Sequence, residues 1–168
     1  FSSGGIAMSV YVVIGSKHDL NYAAKCIELL DKFEINHRLF IASAHRTPEK
    51  INEILQLVEE NHIQVIIAMA GYAAHLPGVL AARALCPVIG VPLDSSSLLG
   101  LDALFSIVQM PAGIPCACVG IGESGARNAA ILAAEILSIQ SSQLQEKIKA
   151  YREEMKEAVI QADRELTF

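Results

Sequence analysis

The run Val65–Ala70 (VIIAMA) is six consecutive apolar residues with no polar position left to face water. A strand of that kind has to be covered on both faces, the situation of a parallel sheet between two helical layers. Four more short runs repeat the pattern: Val10–Gly15 (VYVVIG), His37–Ala42 (HRLFIA), Val88–Val91 (VIGV) and Cys116–Ile121 (CACVGI). The segments between them carry a helical period. Leu20, Ala23, Ile27 and Leu30 follow the first run, with Asp19 placed to cap them, and Ile51, Ile54, Leu55 and Val58 follow the strong helix start Thr47-Pro48. Further helical stretches are expected around Pro77–Leu85, Leu101–Gln109 and Ala126–Ile136. The alternation predicts an α/β fold, a three-layer doubly wound parallel sheet of the flavodoxin or Rossmann kind.

With 168 residues the chain has the length of one domain, expected over 8–168 with a core at about 10–138. Beyond Ser138 a charged helix, about 141–165, places Leu144, Ile148, Tyr151, Met155 and Val159 on one stripe. It is either a solvated terminal helix or, the reading preferred here, an oligomerisation helix laid over a neighbouring subunit. Residues 1–7 (FSSGGIA) have neither a basic start nor an apolar core and read as a cloning scar, not a signal peptide.

Composition narrows the function classes. Thirteen Lys and Arg stand against 18 Asp and Glu, a net charge of −5, with no basic face, which argues against nucleic acid as a partner. No run reaches the roughly 18 apolar residues of a membrane span. Charged residues are only 18% of the chain, below the quarter to a third or so that a solvated surface carries. A homo-oligomer is therefore expected. The four cysteines, Cys26, Cys86, Cys116 and Cys118, form no CxxC pair and no disulfide scaffold, which points to a reducing, cytoplasmic setting. Cys116 and Cys118 read as small apolar side chains on one face of their strand.

In sheets of this type ligands bind beyond the carboxyl ends of the strands, which singles out Gly15–Asp19, Ser43–Thr47, Gly71–His75 and the loop after Val91. In Ser43-Ala44-His45-Arg46-Thr47-Pro48 a helix begins, and its free N–H groups favour an anion. Ser43 adds a hydroxyl and Arg46 a forked cation suited to a phosphate monoester, while His45 between them can carry a proton. The same residues also read as a solvated loop. In Gly15-Ser16-Lys17-His18-Asp19, Ser16 can bond phosphate and Asp19 can accept from ribose hydroxyls or merely cap the helix. Lys17 and His18 can each be simple surface residues. Ala70-Gly71-Tyr72-Ala73-Ala74-His75-Leu76-Pro77-Gly78 is small and apolar around one histidine, so it can close a dry pocket over a planar ligand, or His75 can be structural.

Gly120–Ala126 (GIGESGA) matches the dinucleotide-binding pattern, but in the last strand–helix unit instead of the first. The acidic residue at the right count, Glu146, lies in a helical stretch with no strand before it. These glycines read as tight packing of strand against helix. No metal-binding pattern, nucleophile elbow or Walker loop appears.

Taken in order, GSKHD, SAHRTP, AGYAAHLPG, PVIGVPL, GLDALFSIVQMPAGIP and GARNAAILAAEIL resemble the 5-(carboxyamino)imidazole ribonucleotide mutase family of purine biosynthesis, from about Val10 to Leu137. The resemblance implies an intramolecular carboxylate shift: a carbamate loses carbon dioxide inside a closed site, and the aminoimidazole is recarboxylated at carbon. His45 would be the proton shuttle, with His75 also catalytic. Ser16, Ser43 and Arg46 would hold the phosphate of the nucleotide substrate and Asp19 its ribose, with His18 and Ala70 also binding substrate. Gly71, His75 and Leu76 would line the carbon dioxide pocket. No metal or organic cofactor is implied, and the family is typically a homo-octamer.

Two positions depart from the family: His18, where Ser is usual, and Tyr72, where a second Gly is common. His18 can still donate to phosphate, and Tyr72 either shifts its loop or turns its ring outward. A related branch carboxylates aminoimidazole ribonucleotide directly and tends to carry Lys after SAH and a Ser-Asn loop in place of AAHLPG, so Arg46 and His75 favour the mutase. A non-catalytic nucleotide-binding module would use the same phosphate loops without needing His45.

Overall fold

A computed structural model describes residues 9–166, so the segment read as a cloning scar lies outside the described residues. In chain order the elements are β1 (Ser9–Ile14), α1 (Leu20–Lys32), β2 (Asn36–Ile41), α2 (Pro48–Glu60), β3 (Val65–Ala70), α3 (His75–Ala81), β4 (Val88–Pro92), α4 (Leu101–Val108), β5 (Ala117–Cys118), α5 (Gly122–Ser138) and α6 (Ser142–Arg164). The strands form one parallel sheet in the order β2-β1-β3-β4-β5. The direction of winding reverses between β1 and β3, and a crevice opens there at the carboxyl edge.

The unbroken apolar runs are central. Every residue of β3 and β4 is buried, as are five of the six in β1. One face of the sheet packs Val10, Val12, Ile67 and Val91 under α1 and α5, with α6 added outside them. The other face packs Val13, Ile66 and Ala68 under α2, α3 and α4. The predicted three-layer sheet with an extra C-terminal helix is therefore the observed fold.

Several boundaries differ for local reasons. Of the stripe expected on α1, Leu20 is 43% exposed, and Ala23, Cys26, Leu29 and Leu30 form the buried side. The helix starts off a 3-10 turn, Lys17–Asp19, which shifts its phase. Asp19 stands at the N-cap position but makes no side-chain capping bond. α3 begins earlier than expected, at His75, and ends at Ala81, where Arg83 and Ala84 donate back to the Leu80 carbonyl and leave Leu85 99% exposed ahead of Pro87. β5 keeps two of its six expected residues, because the backbone turns early into α5.

That turn is the glycine motif, and it is filled. A Cβ on Gly125 would lie 1.6 Å from the Gly120 carbonyl oxygen, so helix and strand end touch backbone to backbone. Gly122 has φ +73, a left-handed conformation that glycine adopts without strain. Glu146 lies within α6, with no strand before it. Leu144 and Ile148 anchor α6 in the core, and Tyr151 meets Phe33 edge-on at 5.5 Å between ring centroids. Met155 and Val159 continue the stripe into solvent.

Candidate active site

The ends of β1, β2 and β3 are held level by ladder bonds that run past the strands. The Gly15 N–H donates to the Met69 carbonyl, Ala42 to Ile14, and Leu93 to Ala70. The loops that leave this edge surround a cavity of about 610 Å³. Ser16, His18, Asp19, Ser43, His45, Arg46, Ala70, Gly71, His75 and Leu76 all line it, so every site residue expected from sequence comes to one place. Lys17 is exposed outside it.

The Ser43–Thr47 loop is tied by its own hydrogen bonds. Thr47 Oγ1 accepts from the Ser43 N–H at 2.9 Å and donates to the Ser43 carbonyl at 3.2 Å. Ser43 Oγ accepts from both the backbone N–H and Nε of Arg46, each at 3.3 Å. The other arm of the guanidinium donates to the Gly15 carbonyl at 3.3 Å, which bridges the first two loops. Among the described residues Arg46 makes no ion pair. Its charge is therefore available to an anion in the cavity.

On the first loop, Ser16 Oγ accepts from the His18 N–H at 3.3 Å. Asp19 is buried, and that burial pushes its carboxyl above the usual carboxylate range, against the opposing pull of a Ser16 backbone hydrogen bond and of the charges on His18 and Arg46. A buried acceptor beside a cavity is suited to ligand hydroxyl groups, which restore the hydrogen bonds lost with water.

The two histidines meet across loops 30 residues apart. His45 Nε2 and His75 Nδ1 are 2.7 Å apart, with the rings inclined at 70°. One nitrogen donates and the other accepts, so the pair holds a single proton between them at that contact. A Cβ on Gly71 would lie 2.9 Å from Ser95 Oγ, so the apolar wall is closed by direct packing against the loop after β4. Leu76 and Ala74 are buried behind it.

Tyr72 takes a left-handed conformation, φ +55, and is a 62% exposed residue among those lining the cavity. Sequence reasoning missed Ser95, which also lines the cavity. Its only signal was its place in the loop after the fourth strand. It missed as well the bond from Tyr22 Oη to Asp94 Oδ1, 2.6 Å long and spanning 72 residues. That bond pushes the Tyr22 phenol up to about 12, with burial and the charges of Asp94 and Asp19 adding to it.

Cys116 and Cys118 are half-buried against the same core cluster, and all four cysteines are free thiols. Among the described residues no group of three or more His, Cys, Asp and Glu could hold a metal ion, and no helix is long and apolar enough to cross a membrane.

Comparison with known proteins adds three findings. The family model described as AIR carboxylase matches residues 9–158. The N5-carboxyaminoimidazole ribonucleotide mutase of Pyrococcus abyssi is 54% identical over 147 residues, 88% of this chain and 83% of that protein, and the Escherichia coli K12 protein of the same name is 46% identical over 155 residues, 90% of each. The crystal structure of Treponema denticola PurE superposes with a TM-score of 0.85 at 30% identity, covering 95% of this chain and 99% of that one.

Proposed function

This chain belongs to the AIR carboxylase family, and from that premise we propose that it acts in purine biosynthesis as an N5-carboxyaminoimidazole ribonucleotide mutase. It is an enzyme of the isomerase type whose substrate is a small nucleotide. The observation that carries the chemistry is the 2.7 Å contact between His45 and His75, in the same cavity as the Arg46 guanidinium, which pairs with no carboxylate among the described residues.

The substrate phosphate is held by Ser16, His18, Ser43 and Arg46, and the ribose hydroxyls by Asp19. This places the imidazole against Ala70, Gly71 and Leu76. The carbamate C–N bond then breaks, its electron pair stays on nitrogen, and His45 supplies the proton that completes the amine. Carbon dioxide remains in the apolar part of the site. The ring carbon attacks it, the new C–C bond forms, and the ring proton leaves to His45. One group serves first as acid and then as base, and His75 orients it and shares its proton. Proton inventory and atoms balance over the cycle, and the residues need no metal or organic cofactor for it.

A homo-oligomer, with the octamer as its expected form, is part of this reading. Supporting it are the low charged fraction and the exposure of Leu85, Leu99, Phe105 and Ile139 at 99%, 73%, 57% and 78%. The cytoplasm is its expected location, in keeping with four free thiols. Native mass spectrometry tests the assembly.

The decisive experiment supplies freshly generated 5-(carboxyamino)imidazole ribonucleotide in one arm and aminoimidazole ribonucleotide with bicarbonate in another. Rapid use of the carbamate supports the mutase, and activity from the aminoimidazole alone at high carbon dioxide would assign direct carboxylation instead. His45→Asn is expected to keep phosphate-ligand affinity and lose turnover by at least about 100-fold, the scale of a removed general acid–base. Retained turnover in that variant would refute the shuttle, and absence of turnover in the unaltered enzyme with both substrates would favour a binding module.

A further inference from the structure

Four residues other than glycine hold a positive φ among those described: Glu34, His62, Tyr72 and Leu99. Two are helix ends. Glu34 and His62 follow the C-caps of α1 and α2, where Ile35 donates to the Leu30 carbonyl and Ile63 to that of Val58, the bonds that close a left-handed helix terminus. Leu99 sits in the turn that leads into α4. Tyr72 ends no helix. A bulky aromatic residue is disfavoured in that conformation and persists where the surroundings demand it.

Its position shows what is gained. Tyr72 lies between Gly71, which is packed on Ser95, and the turn in which the His75 N–H donates to the Ala73 carbonyl at 2.8 Å. Tyr72 is 62% exposed as a residue, yet it lines the same cavity as His45 and His75. Among the described residues no aromatic ring packs against it, whereas Tyr11 packs on Phe40 and Tyr151 on Phe33. A planar, apolar ring at the rim of a cavity that takes a planar heterocycle has an evident counterpart in the ligand.

Resting on the mutase reading above, we infer that the Tyr72 ring packs over the substrate imidazole and closes the mouth of the site, keeping the liberated carbon dioxide next to the ring carbon it must rejoin. Between the two bond changes, carbon dioxide is a neutral molecule with no charge for Arg46 to hold. Its retention is a matter of walls. Three sides are supplied by Gly71, Leu76 and the histidine pair, and Tyr72 supplies the side that faces water.

The test runs the unlabelled carbamate in buffer containing ¹³C-bicarbonate and carbonic anhydrase, and reads ¹³C in the product carboxylate by mass spectrometry. Label enters when the original carbon dioxide is lost, either from free carbamate, at a rate common to all variants and measured without enzyme, or from the site, at a rate the variant sets. Tyr72→Gly removes the ring and the backbone strain together, so its Tm is expected to equal or exceed that of the unaltered enzyme while label incorporation rises severalfold. Tyr72→Asn, which also tolerates the left-handed region, is a second ring-deleted variant and is expected to behave alike. Tyr72→Phe keeps the ring and is expected to retain carbon dioxide as the unaltered enzyme does. Unchanged incorporation in the ring-deleted variants, or a Phe variant as leaky as the Gly one, would overturn the inference while leaving the mutase reading intact. An unaltered enzyme that does not turn over the carbamate would instead overturn the mutase reading itself.

Discussion

The glycine-bearing turns that follow β1 and β5 do opposite things. At Gly15–Asp19 an added Cβ on Gly15 would make only ordinary contacts, 3.7 Å to Asp19 Oδ2 and 3.9 Å to Ala70 Cβ, and the turn opens on a cavity of about 610 Å³. At Gly120–Gly125 the better match to a dinucleotide-binding pattern encloses nothing, because Gly125 and the Gly120 carbonyl occupy the space a pyrophosphate would need. A glycine pattern is therefore ambiguous until its surroundings are known. The same residue gives a ligand close access to backbone in one place and lets two segments of chain touch in another.

The largest effect expected from that difference is on stability. Gly125→Ala forces a Cβ onto backbone that has no flexible end to move, and should cost about 3 kcal/mol or more, or prevent folding. Gly15→Ala should stay within about 0.5 kcal/mol of the unaltered protein. Denaturant titration of both variants checks this, and equal losses would erase the distinction. Next comes ligand affinity. Arg46→Ala, which removes the cation of the open turn, should weaken a phosphate-bearing ligand by about 1.5–3 kcal/mol in calorimetry, while NAD should give no heat with either form.

The smallest effect concerns the link between the two turns. Tyr22, three residues past Asp19, donates to Asp94, and Asp94 Oδ1 lies 3.2 Å from where a Cβ on Gly122 would sit. The open turn is thus braced against the closed one. Tyr22→Phe should cost about 0.5–1.5 kcal/mol at neutral pH. The folded phenol titrates at about 12, above the unfolded value of about 10. The bond's contribution is then complete below about pH 10 and disappears as pH rises through about 12. Stability measured over that window should fall more steeply in the unaltered protein than in Tyr22→Phe, and parallel curves would remove the brace from the account.

What could be read in advance follows the same division. β3 matches its expected limits, and β1 and β4 match to within a residue, because a strand covered on both sides has to be apolar throughout and nothing else in the chain competes for that signature. The stripe of α2 holds at every position for a related reason: Pro48 sets where the helix starts and hence its phase. α1 has no such anchor, and its expected stripe fails at Leu20 and Ile27, with Cys26 and Leu29 buried instead, because the helix starts off a 3-10 turn. The ten candidate positions were legible because they fall where strands end, seven with polar side chains and three, Ala70, Gly71 and Leu76, in a small apolar loop, and the structure gathers all ten around one cavity. Ser95 was not, since its role depends on Gly71 lacking a side chain 24 positions earlier, a relation between loops that no local pattern encodes.

The unequal edges of the sheet also govern how copies of the chain can meet. An unpaired edge strand invites another strand to add to it, and repeated addition makes fibres. Here one edge, β5, is two residues long. The other, β2, holds Arg38 over the face of Phe40 and leaves Asn36 and Arg38 in solvent. Neither offers a long, flat, uncharged template. The homo-oligomer proposed above would then be built through side chains on helices and loops, such as the exposed Leu99, Phe105 and Ile139, and not by strand addition.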